Sequence, residues 1–402
     1  MKISKAKKIL TDSICPSYGE RRLILQSGKG CCVFDAAGKK YIDLLSGIAV
    51  SSMGHSNKKV CEAINAQAQK LIHTSNLYYN IPQLTLSEKL SKNLNHEYKM
   101  FYCNSGAEAN ESAIKLTRKF TGNPEKSGII TFKNSFHGRT LATVTATGQP
   151  KYHNPFKPLP PDFYYAEFNS IESVKKLINR KTSAIMIELI QCEGGVNIAS
   201  KKFVKELVKL CSENKILLII DEVQTGTGRT GKFFCFEHYG IKPDIVTIAK
   251  GIAAGVPMGI MFAKKNIADA FAPGDHASTF GGGPLACAAA KTVVEHLNKN
   301  NLLKILQNGE YFKKKIEDLK HPLVKEVRGI GLIIGIELKQ ECGNEIQLKC
   351  EENGLLTNSI HNTVIRLVPP LIIDKKIIGE SVKILKKSFD NIYLKYKGGE
   401  HL

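Results

Sequence analysis

Between about residues 100 and 263 the chain holds six short apolar runs with no internal polar alternation, at 100–103, 129–132, 184–190, 216–220, 245–248 and 259–263. Amphipathic stretches lie between them, notably 107–120, with Ala109, Ala113, Leu116 and Phe120 on one helical face, and 202–214. A strand that is apolar on both sides must be covered on both sides. Strands of that kind spaced by helices predict an α/β fold with a mostly parallel sheet. The flanking regions differ. Residues 33–35 and 41–43 around Gly38 predict a hairpin within a first 50 residues of short strands and turns, and helical periodicity runs from 58 to about 71. Beyond residue 284 a helix (284–298), charged helices to about 320 and strand-like runs at 331–338 and 364–367 predict a smaller α+β unit. The expected division is 1–70 as the N-terminal part of a small domain, 71–284 as the large domain and 285–402 as the C-terminal part of the small one. A chain of 402 residues accommodates this.

In an open α/β sheet, ligands bind beyond the carboxyl ends of the strands. The residues just past each run are therefore informative. Asn104-Ser105-Gly106-Ala107 comes after the first and Phe136-His137-Gly138-Arg139 after the second; Gln191-Cys192-Glu193, Asp221-Glu222-Val223-Gln224 and Ala249-Lys250-Gly251 come after the later ones. Lys250 is the sole charge from residue 245 to 261. A desolvated lysine has a lowered pKa and a free amine able to condense with a carbonyl. A snorkelling strand-end lysine would look the same. Asp221, after five apolar residues, is either a rim carboxylate able to pair with a protonated ring nitrogen or a plain turn aspartate. Ser105-x-x-Glu108 is a capping box, and the same helix start offers backbone N–H groups to a phosphate.

Other classes find less support. Gly226, Gly228 and Gly231 fit G-x-G-x-x-G and, with Lys232, nearly fit a nucleotide-binding P-loop. The next residues, Phe233-Phe234-Cys235-Phe236, are a poor helix start, and Phe233 stands where a magnesium-binding hydroxyl belongs. The net charge of +20 comes from lysines scattered along helices, not from a basic block with interleaved aromatics, so no nucleic-acid partner is expected. Eleven cysteines without CxxC or zinc-type spacing read as reduced, mostly buried thiols, with no metal site. With no apolar run of membrane length and no secretory h-region, a cytoplasmic location is expected.

Taken together and in order, these segments resemble the class III (ornithine-type) aminotransferases, which are fold-type I pyridoxal-phosphate (PLP) enzymes. The likeness runs from about Tyr18 to Pro370. It includes Ser46-Gly47-Ile48-Ala49-Val50, Ser75-Asn76-Leu77-Tyr78, Phe136-His137-Gly138-Arg139-Thr140, Thr147-Gly148-Gln149, Asp221-Glu222-Val223-Gln224, Thr279-Phe280-Gly281-Gly282 and Ile365-Arg366-Leu367-Val368-Pro369-Pro370. The resemblance implies that Lys250 would carry PLP and then shuttle a proton, and that Asp221 would hold the pyridine nitrogen. Phe136 would stack on the ring and Gln224 approach its phenolic oxygen. Ser105, Gly106 and Ala107 would hold the phosphate. Thr279 would reach the phosphate of a neighbouring subunit, implying a homodimer with shared active sites. Arg366 would bind the α-carboxylate of glutamate and Arg139 the far carboxylate. Glu193 would pair with Arg366 when a substrate enters by its terminal amine. The implied substrates are an ω-amine (N-acetylornithine, ornithine, 4-aminobutyrate or N-succinyl-diaminopimelate) with 2-oxoglutarate as acceptor. The sequence departs from the usual pattern at Leu189 (proline is usual), Cys192 (glycine), Gly283 (asparagine) and Ala253-Ala254 (glycine-rich). None of these removes a reacting group.

Overall fold

The computed structural model describes residues 3–397. The ends of the two outer segments, residues 1–2 and 398–402, lie outside them. The centre is a seven-stranded sheet in the order Tyr98–Cys103, Gly259–Lys264, Ile245–Ile248, Leu217–Asp221, Thr182–Ile187, Gly128–Phe132, Phe163–Ala166. Pairings from Ile245–Ile248 outward are all parallel. Gly259–Lys264 alone runs antiparallel to both neighbours. Every residue of the strands Gly128–Phe132, Thr182–Ile187, Leu217–Asp221 and Ile245–Ile248 is buried, as their unalternating apolar sequences require.

Alternate strand residues feed two cores. Ile129, Ala184, Met186 and Ile219 face the helix Gly106–Thr121 with its Ala113 and Leu116. Ile130, Phe132, Ile185, Ile187 and Ile220 face the larger core on the other side, which Phe203, Val204 and Leu207 of the helix Lys201–Asn214 close. Phe120, expected on the buried face, is 39% exposed, because it sits in the last turn of its helix, just before the left-handed Gly122 cap.

The two outer segments meet. The strands Leu25–Lys29, Cys32–Asp35 and Lys40–Asp43 form the expected antiparallel hairpin system, and Lys40–Asp43 pairs in parallel with Leu355–Leu356. A further antiparallel sheet has the order Val324–Ile330, Ile333–Leu338, Val364–Leu367, Asn358–Ile360.

Several sequence expectations need correction. The first 50 residues also hold a helix, Ile3–Ser13, none of whose residues is buried although Ile3, Ala6, Ile9 and Leu10 stand at helical spacing. The helix predicted over 58–71 ends at Ala68. The run 184–190 is two elements, Thr182–Ile187 and the short strand Ile190–Gln191, split at Glu188-Leu189. The strand Val324–Ile330 was not anticipated, since it is a sheet edge whose Lys325, Glu326 and Arg328 mask the alternation.

Candidate active site

The carboxyl ends of the parallel strands surround a cavity of about 410 Å³. Ten of the eleven site residues expected from sequence are placed at or beside it. Lys250, Asp221, Ser105, Gly106, Ala107, Phe136, Gln224, Arg139 and Glu193 line it, and Arg366 touches it through Glu193 and Gln224. Thr279 does not line the cavity; it lies on the exposed surface, one residue from Ser278, whose hydroxyl accepts from Asn104 at 3.2 Å.

Lys250 comes just after the strand Ile245–Ile248. Its backbone is left-handed (φ +49°), which costs a non-glycine residue about 1–2 kcal/mol. The next residue is fastened: the Ser52 hydroxyl donates to the Gly251 carbonyl at 2.6 Å. Ser52 comes from the N-terminal segment, just after a left-handed turn at residues 46–49 whose first N–H groups, Leu45 and Ser46, donate to the Asp43 carboxylate. Among the described residues the Lys250 amine has no hydrogen-bond partner. Burial holds its pKa below the usual amine range, against the opposing pull of Glu193.

Asp221 ends its strand at the cavity floor. One carboxylate oxygen accepts from Asn110 (2.7 Å) and His137 (2.8 Å), the other from the Val223 N–H (2.9 Å). A carboxylate offers about four acceptor positions. Three are filled and fix the group, which lines the cavity with one acceptor position unfilled. Asn110 and His137 were not singled out from sequence, although His137 sits in the Phe136–Arg139 stretch and Asn110 lies one helical turn beyond Gly106. Glu188 was also missed. It lines the cavity, accepts from the Phe136 N–H at 2.8 Å and is pushed well above the carboxylate range by burial and by the nearby Asp221 charge. It thereby fixes the backbone that presents Phe136.

At the helix Gly106–Thr121 the N-cap part of the capping-box reading holds, while the reciprocal bond to Glu108 comes from Asn104 instead of Ser105. Ser105 caps it, accepting from the Glu108 N–H at 3.2 Å, and Glu108 accepts from the Asn104 N–H at 2.9 Å. The helix start also lines the cavity, its backbone pressed so close that a Cβ on Gly106 would lie 2.6 Å from Val223. Arg366 is fully buried, ion-paired with Glu193, and donates to Asn358 at 2.8 Å. Burial pushes the Glu193 carboxyl up, but the Arg366 charge and hydrogen bond together with Lys250 and Gln224 outweigh it and hold the pKa below the usual carboxylate value. Arg139 is exposed at the mouth, its guanidinium 3.9 Å from the Tyr152 ring centre.

The glycine-rich stretch takes no part. Gly228 and Gly231, both left-handed, lie so close to Leu297 and Leu306 that a Cβ would approach them to 2.6 Å. Between them Arg229 is buried and donates to the carbonyls of Leu332 and Pro369. The turn is packed core, not an open phosphate cradle. Among the described residues there is no metal-holding cluster and no helix long and apolar enough to cross a membrane.

The family model for aminotransferase class-III matches residues 15–389. The chain belongs to the class III aminotransferases. Among similar relatives, the acetylornithine aminotransferase of Methanocaldococcus jannaschii is 49% identical, covering 93% of this chain and 95% of that one. The corresponding protein of Caldanaerobacter subterraneus is 48% identical over 95% and 98%. Among solved structures, the ornithine aminotransferase of Toxoplasma gondii matches with a TM-score of 0.94 at 29% identity, covering 98% and 96%. The N-acetylornithine aminotransferase of Stenotrophomonas maltophilia matches at 0.83 and 33%, covering 96% and 99%. This aminotransferase therefore has the α/β fold of its family and uses pyridoxal phosphate. The cavity fits that group on its own terms: a desolvated amine, a fixed carboxylate with one open acceptor position, an aromatic wall and a capped helix start.

Proposed function

We propose that this aminotransferase moves the δ-amino group of N-acetylornithine to 2-oxoglutarate, giving N-acetylglutamate semialdehyde and glutamate, a step in arginine biosynthesis. The observation that carries the reading is the Glu193–Arg366 ion pair within reach of the same cavity as the Lys250 amine. With Glu193 seated, Arg366 is neutralised and the site suits an amine carbon with no carboxylate beside it. With Glu193 turned away, the guanidinium is free to grip the α-carboxylate of glutamate bidentately. One site then serves both an ω-amine and an α-amine.

Lys250 would hold the cofactor, Asp221 its ring nitrogen, Phe136 one ring face, Gln224 its phenolic oxygen, and Ser105, Gly106 and Ala107 its phosphate. When bound, PLP supplies an aldehyde and an electron-withdrawing ring. Lys250, whose burial favours the neutral amine, takes the proton from the carbon bearing the amino group. Arg139 at the mouth receives the distal carboxylate of 2-oxoglutarate, its guanidinium kept flat by Tyr152. Glu188, fixing the Phe136 backbone, keeps the aromatic wall in place.

The preference for an N-acylated donor rests on the two relatives at 49% and 48% identity that bear that name. The test is steady-state comparison of N-acetylornithine, ornithine, 4-aminobutyrate and N-succinyl-diaminopimelate with 2-oxoglutarate. N-acetylornithine should lead in kcat/KM by at least about tenfold, the scale on which a pocket separates close analogues. A lead by any other donor overturns the substrate assignment.

We also infer a homodimer built on a two-domain protomer, 71–284 as the large domain and 1–70 with 285–402 as the small one. Supporting the dimer is an exposed apolar surface: Leu77 (83% exposed), Tyr79 (92%), Ile81 and Phe280. Asn76 donates to the Ser278 and Gly281 carbonyls and so ties this surface to the loop that carries Thr279. Apolar surface of this kind favours an interface, and Thr279 would then enter a partner's phosphate site. Supporting the division is the parallel pairing of Lys40–Asp43 with Leu355–Leu356.

A further inference from the structure

We propose that Arg328 is a positioning residue that holds the Glu193 loop still, so that the Glu193–Arg366 pair opens by side-chain rotation and closes again in the same place. This rests on the reading of Glu193 as an alternating partner of Arg366.

The argument starts from strand register. Arg328 lies opposite Gly335, Gly335 opposite Arg366, and Arg366 opposite Asn358. Cross-strand partners share a sheet face, so the two arginines point the same way with a glycine between them. Above this row sits the loop at 192–196, the tight turn between the short paired strands Ile190–Gln191 and Asn197–Ile198. Arg366 takes the Glu193 carboxylate at one end of the turn. Arg328 takes the other end. Its Nε donates to the Gly195 and Val196 carbonyls, both at 3.1 Å, and its Nη2 to the Gly195 carbonyl at 2.6 Å.

The remaining features fit a clamp. Val196 is a buried β-branched residue with φ +61°, a conformation that needs outside support. It nests where residue 335 has no side chain: a Cβ on Gly335 would lie 2.8 Å from the Val196 Cβ. Gly194 is held from the other side, with the Asn134 carbonyl 2.7 Å from where its Cβ would be, and Asn197 donates to its carbonyl at 2.9 Å. The Arg328 charge is balanced by Glu326 and Glu337, so its guanidinium stays in place without competing for Glu193. What is left free to move is the Glu193 side chain, 25% exposed against 1% for Arg366.

Without Arg328 the whole loop can drift, and Glu193 neutralises Arg366 less often. The ω-amine half-reaction, which needs the closed pair, should suffer. The glutamate half-reaction, which needs the open one, should not. In the PLP-loaded enzyme, Arg328→Met should lower kcat/KM for the N-acetylornithine half-reaction by about tenfold, within the range for neighbours in one hydrogen-bonded network. The glutamate half-reaction should change by less than about threefold, and Arg328→Lys should restore part of the ratio. Gly335→Ala, which pushes on Val196 without touching any ion pair, should shift the ratio the same way and decides the matter if Arg328→Met does not fold. Equal losses in both half-reactions overturn the proposal. Glu193→Gln separates the two levels. If it leaves the ratio unchanged, the alternating-partner reading fails and this inference with it. If it shifts the ratio while Arg328→Met and Gly335→Ala do not, only the positioning role fails.

Discussion

Replacing Lys250 with alanine should lower kcat by about 10⁴-fold or more while leaving the fold intact, because the proposed covalent role and proton transfer both depend on this one amine. The fold should survive because the Lys250 side chain makes no hydrogen bond among the described residues. The positive φ at position 250 is no harder for alanine than for lysine, and the anchor from Ser52 reaches the neighbouring Gly251 carbonyl instead. Lys250→Arg supplies a cation on a side chain of similar length but no neutral amine, so it should be equally inactive. Turnover measured beside a thermal melt and the visible absorption of the PLP-loaded protein checks this. Recovery of activity by arginine would mean that Lys250 acts only as a charge.

Asp221→Asn should cost about 10²–10³-fold in kcat, the usual scale for removing one preorganised electrostatic partner of a reacting system. The substitution is nearly isosteric. Its amide oxygen can still accept one of the bonds now made by Asn110, His137 and Val223. What it loses is the negative charge proposed to keep a ring nitrogen protonated. The loss should therefore appear in kcat for both half-reactions alike, unlike the selective effect of Arg328→Met. An asparagine variant with kcat within about threefold of the parent would show that the carboxylate is a turn residue and not the partner of the ring.

These two residues were legible in the sequence for one physical reason. Strands buried on both faces read as unbroken apolar runs, and such runs end where polar groups can reach solvent or a ligand. Asp221 and Lys250 each mark such an end, and the fold is written in the same runs. Asn110 and His137 were not legible as a pair, since the first looks like a helix-face asparagine and the two meet only in the folded chain, where the Asn110 amide donates to the His137 carbonyl at 2.7 Å and both donate to Asp221. Glu188 was hidden inside what read as one continuous strand. Arg328 is harder still. Its meaning lies in the Arg328–Gly335–Arg366–Asn358 register, and no local pattern encodes which residues of neighbouring strands stand in a row. The helix Ile3–Ser13 escaped although Ile3, Ala6, Ile9 and Leu10 stand at helical spacing. Thr279 was expected to serve a neighbouring subunit; in the single chain it lies exposed and away from the cavity.

The most direct test of the account is to follow the nitrogen. The PLP-loaded enzyme is given N-acetylornithine labelled with ¹⁵N at the δ-amine together with unlabelled 2-oxoglutarate, and the products are read by mass spectrometry. Glutamate carrying one ¹⁵N for each semialdehyde formed, in wild type and not in Lys250→Ala, is the predicted result. Label released as ammonia, or glutamate formed without label, would contradict amino transfer at this site.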